Sequence, residues 1–221
     1  MRKSIRWRSL RNNHTNRKNV SNKNDNEYKR NSTNTAITTS RRASARIKTF
    51  AKELAFSLNA TRINRGKASI EEFLILSRES NIKRVIFVDG LHGNPSRLRI
   101  YDATNTKLLG FILIKSITLW RELQNRIRFR PKGVVMISEG DPLESIISDM
   151  LNMTMVRQVR EVPQGFGALS LIIGKDLITL RFIHVKTLKD FGPIIRIRGI
   201  IKGEERVFSP PFIIRDEKNE Q

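Results

Sequence analysis

The apolar positions between residues 36 and 122 change their spacing several times, and each change marks an element. Residues 36–39 have the β-branched and apolar composition of a short strand. After a polar turn, apolar side chains recur at helical spacing up to Asn59, which predicts an amphipathic helix. Ser69 and Glu72 form the capping-box pattern that opens a second helix, which continues to residue 80. The spacing also predicts strands at 61–63, 85–88, 97–103 and 108–117.

The second part of the chain shows similar changes of spacing, after a basic segment at residues 121–132. A strand is predicted at 134–137, and Asp141 with Pro142 opens a helix. A stretch without a clear period follows, and then come three strands, at 168–173, 177–186 and 193–201. Residues 208–214 could add an edge piece, because two consecutive prolines argue against a central strand.

This order of elements predicts an α/β (α+β) fold with two similar halves, each a mixed sheet with packed helices. The first half is assigned to residues 36–122 and the second to 133–215, with a C-terminal tail at 216–221. The repeat is architectural, since the two halves have no convincing residue-level match.

Residues 1–35 differ from the rest of the chain. They contain ten Lys or Arg, nine Asn and only two acidic residues. Such a segment cannot bury enough apolar surface to offset the entropy of ordering, so a basic disordered tail is predicted. It could be an arm that orders on RNA, or an extension that only improves solubility.

The charge balance limits the classes of partner. There are 42 Lys and Arg against 21 Asp and Glu, a formal net charge of +21, which attracts polyanions. The absence of Cys and the three scattered His exclude disulfides, thiolate chemistry and the usual zinc sites. The longest apolar run, at residues 108–114, is too short to span a bilayer. We therefore expect a cytoplasmic protein with no metal, cofactor, small-molecule substrate or membrane partner.

Much of the remaining charge lies at residues 36–67, which carry eight basic side chains and one acidic side chain. Loops with arginines at the ends of adjacent strands predict a phosphate-binding rim, and Gly66 would let a phosphate approach the backbone closely. An ordinary solvated basic surface is the alternative. The RNA-binding residues predicted here are Arg41, Arg42, Arg46, Lys48, Arg62, Asn64, Arg65 and Lys67.

The last strands supply a second set of candidates. Arg181, Arg196 and Arg198 alternate with apolar residues, which places them on an exposed basic sheet face. Because stacking aromatics are scarce there, contact with phosphates is favoured over reading of bases. A merely solvated face is the alternative.

Three short motifs resemble parts of enzyme active sites, but the sequence around each of them does not support catalysis. Residues 190–192 spell the kinase Asp-Phe-Gly triplet without the glycine-rich loop or the catalytic loop. The glycines near residue 90 lack P-loop spacing. Asp141 and Glu144 are better explained as a helix start than as catalytic carboxylates. We therefore predict that the protein is not an enzyme.

Several of these segments together resemble the Brix-domain family. The opening motif runs through residues 37–44 and the helix containing Phe50 to residues 62–67, and strand 84–88 with the turn 93–95 follows it. Residues 178–182 and 191–198 resemble the closing strands of the family. Residues 104–165 match the pattern poorly. The single-domain form is similar to archaeal members, which resemble the Imp4-type small-subunit processome component.

The resemblance implies two α/β halves akin to the anticodon-binding domain of class IIa aminoacyl-tRNA synthetases. It also implies a non-enzymatic role in ribosome biogenesis, with pre-rRNA or rRNA as the partner and pre-ribosomal proteins as further partners. Two alternatives stay open from the residues themselves: a protein-interaction scaffold of a pre-ribosomal particle, and a tRNA-binding accessory module.

Overall fold

The computed structural model describes residues 34–174, 176–203 and 205–208. The predicted C-terminal tail, most of the predicted N-terminal tail and most of the predicted edge piece at 208–214 lie outside these residues. Thr35, which the sequence places in the N-terminal tail, is instead the buried first residue of a strand. The helices are α1 (Ala45–Ser57), α2 (Ile70–Glu79) and α3 (Pro142–Leu151). The strands are β1 (Thr35–Thr39), β2 (Thr61–Arg62), β3 (Arg84–Leu91), β4 (Asn94–Asp102), β5 (Lys107–Thr118), β6 (Val134–Ile137), β7 (Thr154–Val156), β8 (Gly167–Ile173), β9 (Ile178–Ile183), β10 (Ile194–Lys202) and β11 (Glu205–Phe208).

The strands form one mixed sheet in which a single pattern occurs twice. The order is β2-β1-β3-β4-β5 followed by β10-β9-β8-β6-β7. Each set of five strands, counted from the outer edge of the sheet, begins with the second strand of the set in chain order and continues with the first, third, fourth and fifth. In each set the first three strands are parallel and the last two are antiparallel additions. The sets meet at an antiparallel pair, β5 with β10. This architecture confirms the predicted mixed α/β class, but the strands form one continuous sheet rather than a separate sheet in each half.

We call the antiparallel pair of β5 and β10 the seam. Its direction determines at which end of the sheet each strand ends. The carboxyl ends of β1, β2 and β3 lie at one end of the sheet, together with the carboxyl ends of β5 and β9 and the amino end of β10. The carboxyl ends of β6, β7 and β8 lie at the opposite end. The two sets of strands are thus related by an approximate two-fold rotation.

Helices α1 and α3 cover the same face of the sheet and share one apolar core that draws on both sets of strands. The carboxyl end of α1 packs against the second set, where a Cβ added to Gly192 would lie 2.2 Å from Ser57 Oγ. Asn59, just after α1, also donates from Nδ2 to the Lys132 carbonyl over 2.7 Å. These contacts connect α1 directly to the second set of strands.

The opposite face is covered unevenly. Over the first set of strands, α2 buries Phe73 and Leu74 against Val85 and Phe87. At the corresponding place in the second set the chain forms only a 3-10 turn, Val159–Glu161, and the small cluster below it is built on Phe166. Strands β8, β9 and β10 therefore expose one face to solvent.

Two predicted segments differ from the structure. The stretch without a clear period contains β7, a strand of three residues that pairs with β6. The predicted strand at 177–186 ends at Ile183, because His184 begins a turn in which its carbonyl accepts from the backbone N–H groups of Thr187 and Leu188.

The start of α3 confirms the interpretation of Asp141 and Glu144 as helix-capping residues. Asp141 is the N-cap and accepts from the backbone N–H of Leu143. Glu144 is 2% exposed and accepts from Ser138 Oγ and from the backbone N–H groups of Glu139, Gly140 and Asp141. Burial alone would raise the pKa of Glu144, but these hydrogen bonds outweigh it and hold the pKa below its usual value.

We expect Glu144→Gln to lower the free energy of unfolding by about 2 kcal/mol at neutral pH, because the amide NH2 would face backbone donors. The depressed pKa means that the Glu144 carboxylate stabilises the fold above pH 4.5 and that this contribution is lost as the pH falls through the folded pKa. The difference between the proteins should therefore shrink in acid. Urea titrations at neutral and acidic pH measure it, with the exposed Glu139→Gln as the control. An equal effect of both substitutions would contradict the prediction.

Candidate nucleic-acid interface

Two loops at the carboxyl ends of β1 and β2 are held together by Arg41. Its Nη2 donates to the carbonyl of Lys67 over 3.1 Å and approaches the Ala68 carbonyl at 3.5 Å. Arg41, Arg42 and Lys67 are all exposed. We call the surface formed by Arg41, Arg42, Asn64, Arg65 and Lys67 the basic rim.

Within the basic rim, Arg65 is not the exposed cation that the sequence suggests. Its side chain lies over the ring of Phe87, with Cζ 5.4 Å from the ring centroid, and the residue is only 7% exposed. Nη1 donates to the Ala68 carbonyl over 3.2 Å. Burial, followed by the nearby charges of Arg41 and Arg99, lowers the pKa of Arg65. Arg65 thus supports the loop from below, and its neighbours face solvent.

Asn64 also has a role within the loop. Its Oδ1 accepts from the backbone N–H of Gly66 over 3.2 Å, which closes a tight turn. Gly66 has a φ of +61°, which a glycine adopts without strain, and the space around its Cα is open. The backbone at Gly66 is therefore exposed on this side of the loop.

Three of the predicted residues lie apart from the basic rim. Arg46, in the first turn of α1, forms an ion pair with Glu122 over 2.7 Å, and the hydrogen bond from Arg46 lowers the pKa of Glu122. Lys48 is exposed on the same helix, and Arg62 is exposed on the edge strand β2. Two of these residues are thus on α1 and the third is on β2.

Strand β4 supplies two arginines that sequence reasoning missed. Arg97 Nε and Arg99 Nη2 donate to the two carboxylate oxygens of Asp89, over 2.8 and 2.9 Å. Burial disfavours the charge on Arg99, but the hydrogen bond and the charge of Asp89 outweigh burial and raise the pKa of Arg99. The sequence did contain a signal, because Arg97 and Arg99 alternate with the buried Leu98 and Ile100.

The predicted arginines of the last strands lie on the solvent-exposed face of the sheet. Arg181 donates from Nε and Nη2 to both oxygens of Asp190, over 3.0 and 2.8 Å, which raises the pKa of Arg181. Arg196 donates to Thr118 Oγ1 over 3.3 Å. Arg198 is exposed at a β-bulge in β10. We call the surface formed by Arg97, Arg99, Arg181, Arg196 and Arg198 the arginine face.

The basic rim and the arginine face form one surface. Arg65 and Arg99 both lie over the ring of Phe87, each with Cζ 5.4 Å from its centroid. Arg97 in turn lies over Phe111 of β5, at 5.5 Å, and β5 pairs directly with β10. The loop residues 41–67 and the later residues Arg181, Arg196 and Arg198, which follow more than 110 positions further along the chain, thereby lie at one end of the sheet.

The two-fold related part of the fold has the opposite charge. Residues 35–83, from β1 to the start of β3, contain ten basic and four acidic residues, a net charge of +6. The corresponding residues 134–166 contain two basic and five acidic residues, a net charge of −3. The shared topology therefore does not by itself require a basic surface at these loops.

Other kinds of site have little support in the described part of the chain. It contains no group of three or more His, Asp or Glu arranged to hold a metal ion. Nor does it contain a helix that is long and apolar enough to cross a membrane.

Comparison with known proteins identifies the family. Over 163 residues the chain is 32% identical to a probable Brix domain-containing ribosomal biogenesis protein of Sulfurisphaera tokodaii. The aligned region covers 73% of this chain and 90% of that protein. The chain belongs to the Brix domain-containing family. A protein of the same description from Methanococcus maripaludis is 37% identical over 90 residues, 41% of this chain and 51% of that protein. No family model matches the chain.

Two solved structures share the fold of this Brix-family chain. Mil, described as an archaeal Imp4-like protein, superposes with a TM-score of 0.59 at 22% identity, over 76% of this chain and 99% of Mil. A probable ribosomal biogenesis protein from Aeropyrum pernix superposes with a TM-score of 0.62 at 22% identity, over 80% of this chain and 99% of that one.

Asp89 is the common partner of Arg97 and Arg99, so Asp89→Asn should leave two neighbouring guanidinium groups without a counter-charge. We expect this substitution to lower the free energy of unfolding by about 2–3 kcal/mol, because one partner of a largely buried ion pair is removed. Asp176→Asn, at an exposed loop position, should change it by less than about 0.5 kcal/mol. Urea titrations of the two variants test this, and equal midpoints would contradict it.

Proposed function

We propose that this protein is a ribosome-biogenesis factor that binds rRNA or pre-rRNA through phosphate contacts. The single observation that carries the proposal is the joining of the basic rim and the arginine face into one surface. The descriptions of the relatives as ribosomal biogenesis proteins support the biological role. The basic segment at residues 1–35 would assist by adding sequence-independent attraction for RNA.

The chemistry of the surface favours phosphates over bases. Guanidinium groups match the geometry of phosphate oxygens, and Asp89 and Asp190 fix the planes of three of them in advance. Reading of single-stranded bases on a sheet needs exposed aromatic side chains for stacking. The rings that lie under these arginines, Phe87 and Phe111, are buried and half-buried, and Tyr101 beside Phe87 is also half-buried.

The proposal includes a binding role without catalysis, in the cytoplasm, with assembling ribosomal particles as the setting. Kinship with the anticodon-binding domains of class IIa aminoacyl-tRNA synthetases stays a prediction from the sequence. The division into halves at residues 36–122 and 133–215 is likewise kept as part of this proposal.

The role of the surface can be tested by removing three exposed cations, with Arg42, Lys67 and Arg198 changed to Gln. Each neutralised phosphate releases counterions, so the slope of log affinity against log salt should become shallower by about 0.7 per contact on single strands, or about 2 in total. Binding of rRNA fragments is measured by fluorescence anisotropy over a range of salt concentrations.

The control is a variant with the same loss of charge elsewhere, with Lys107, Arg157 and Arg160 changed to Gln. These three side chains are also exposed and lie outside the basic rim and the arginine face. The control should keep a slope close to that of the unmodified protein. Equal slopes for the two variants would show that bulk charge, rather than this surface, binds the RNA.

Crosslinking in cells followed by sequencing of the bound RNA distinguishes the remaining functions. Enrichment of rRNA or its precursors supports the proposal, and enrichment of tRNA supports the tRNA-binding alternative. Recovery of a stable protein partner after nuclease treatment, with no RNA enriched, supports the scaffold alternative.

A further inference from the structure

The segment between the two sets of strands carries a row of cations that the proposed function does not use. In residues 126–132, basic and non-basic positions alternate strictly: Arg126, Arg128, Arg130 and Lys132 are exposed, and the three residues between them are buried or half-buried. Such alternation is typical of an extended backbone. The segment contains no acidic residue.

The backbone of this segment is held in place at several points. The Ile127 N–H donates to the Asp190 carbonyl, and the Lys132 N–H donates to the Gly165 carbonyl, both over 2.9 Å. Between these points Phe129 packs edge-on against the rings of His184 and Phe191, with centroids 4.5 and 5.2 Å away. The backbone is therefore already ordered, and a ligand would need to order only the side chains.

The four cations are not equivalent. Arg126 donates from Nη1 to the Leu123 carbonyl over 2.9 Å and also to the Arg121 carbonyl, and its Cζ lies 5.3 Å from the Trp120 ring centroid. Arg126 therefore holds the segment together. Within the described part of the chain, the side chains of Arg128, Arg130 and Lys132 have no ion-pair partner. We call these three residues the linker ledge.

The linker ledge lies at the same end of the sheet as the basic rim. It passes Asp190, which precedes the amino end of β10, and Gly165, which precedes the amino end of β8. Asp190 connects the two regions directly, since its carboxylate holds Arg181 of the arginine face and its backbone holds the linker. RNA that contacts the arginine face can therefore continue around this end of the sheet.

We propose that the linker ledge is a second RNA-binding site, which takes the phosphates of one extended single strand. In an extended backbone, alternate side chains are about 6.6 Å apart, which is comparable with the distance between successive phosphates of a stretched RNA strand. A straight row of cations follows one backbone, whereas the two backbones of a duplex wind away from it. This inference rests on the proposed function, because it extends the same RNA beyond the arginine face.

The test uses the full-length protein with Arg128, Arg130 and Lys132 changed to Gln, a single-stranded uridine oligonucleotide and a blunt RNA duplex. The log-log salt slope on the single strand should become shallower by about 2, and the change on the duplex should not exceed that of the Lys107, Arg157 and Arg160 control. Thermal unfolding checks that the variant is folded, as expected for three exposed positions.

The outcomes separate this inference from the proposed function. If the ledge variant matches the control on the single strand while the Arg42, Lys67 and Arg198 variant loses affinity, the ledge inference is overturned and the proposed function stands. If neither variant loses affinity, the proposed function itself is overturned. Equal losses on single strand and duplex would overturn the preference for a single strand.

A footprint on the unmodified protein gives an independent measurement. Acetylation of lysines, followed by mass spectrometry, reports which ammonium groups the oligonucleotide covers. The single strand should protect Lys132 from acetylation and leave Lys107, on the β4–β5 hairpin, reactive. Equal reactivity of Lys132 with and without the oligonucleotide would overturn the inference without any substitution.

Discussion

The antiparallel pairing of β5 with β10 is the constraint on which the rest of the structure depends. It makes one sheet from two sets of strands with the same order, and it brings the carboxyl ends of β1–β3 to the same end as the amino end of β10. The basic rim, the arginine face and the linker ledge meet at this end. Gly110 lies at the seam, where a Cβ would be only 2.0 Å from the Ile201 carbonyl oxygen, so the close approach of the two strands requires glycine.

Buried carboxylates make this concentration of positive charge compatible with folding. Asp89 and Asp190 are 7% and 3% exposed, and between them they bind three guanidinium groups. Each arginine keeps N–H donors directed away from its carboxylate, because a guanidinium group has five of them. Interior acids thus balance part of the positive charge of this surface, and the proposed phosphate contacts would use the donors that face away from the carboxylates.

The sequence predicted the elements well where the spacing of apolar residues was regular, as in the whole of the first half. It did not reveal β7, because these three residues lie in a stretch whose apolar positions follow no clear period. The site was predicted less completely, because its geometry depends on tertiary contacts. Nothing local in the chain indicates that Arg65 is buried over Phe87, or that Asp89 binds Arg97 and Arg99. Nor can spacing place Arg196 beside the first set of strands.

The packing of α1 across the seam has a consequence for folding during synthesis. Ser57 and Asn59, at the end of this helix, contact residues that follow position 130, and the core beneath α1 includes Phe182 and Phe191. The first half therefore leaves the ribosome with part of its apolar helix face uncovered until β9 and β10 have been made. Such long-range pairing is slow to form and exposes apolar surface in the meantime. Between translation of α1 and closure of the seam, this apolar face is open to contact with other chains.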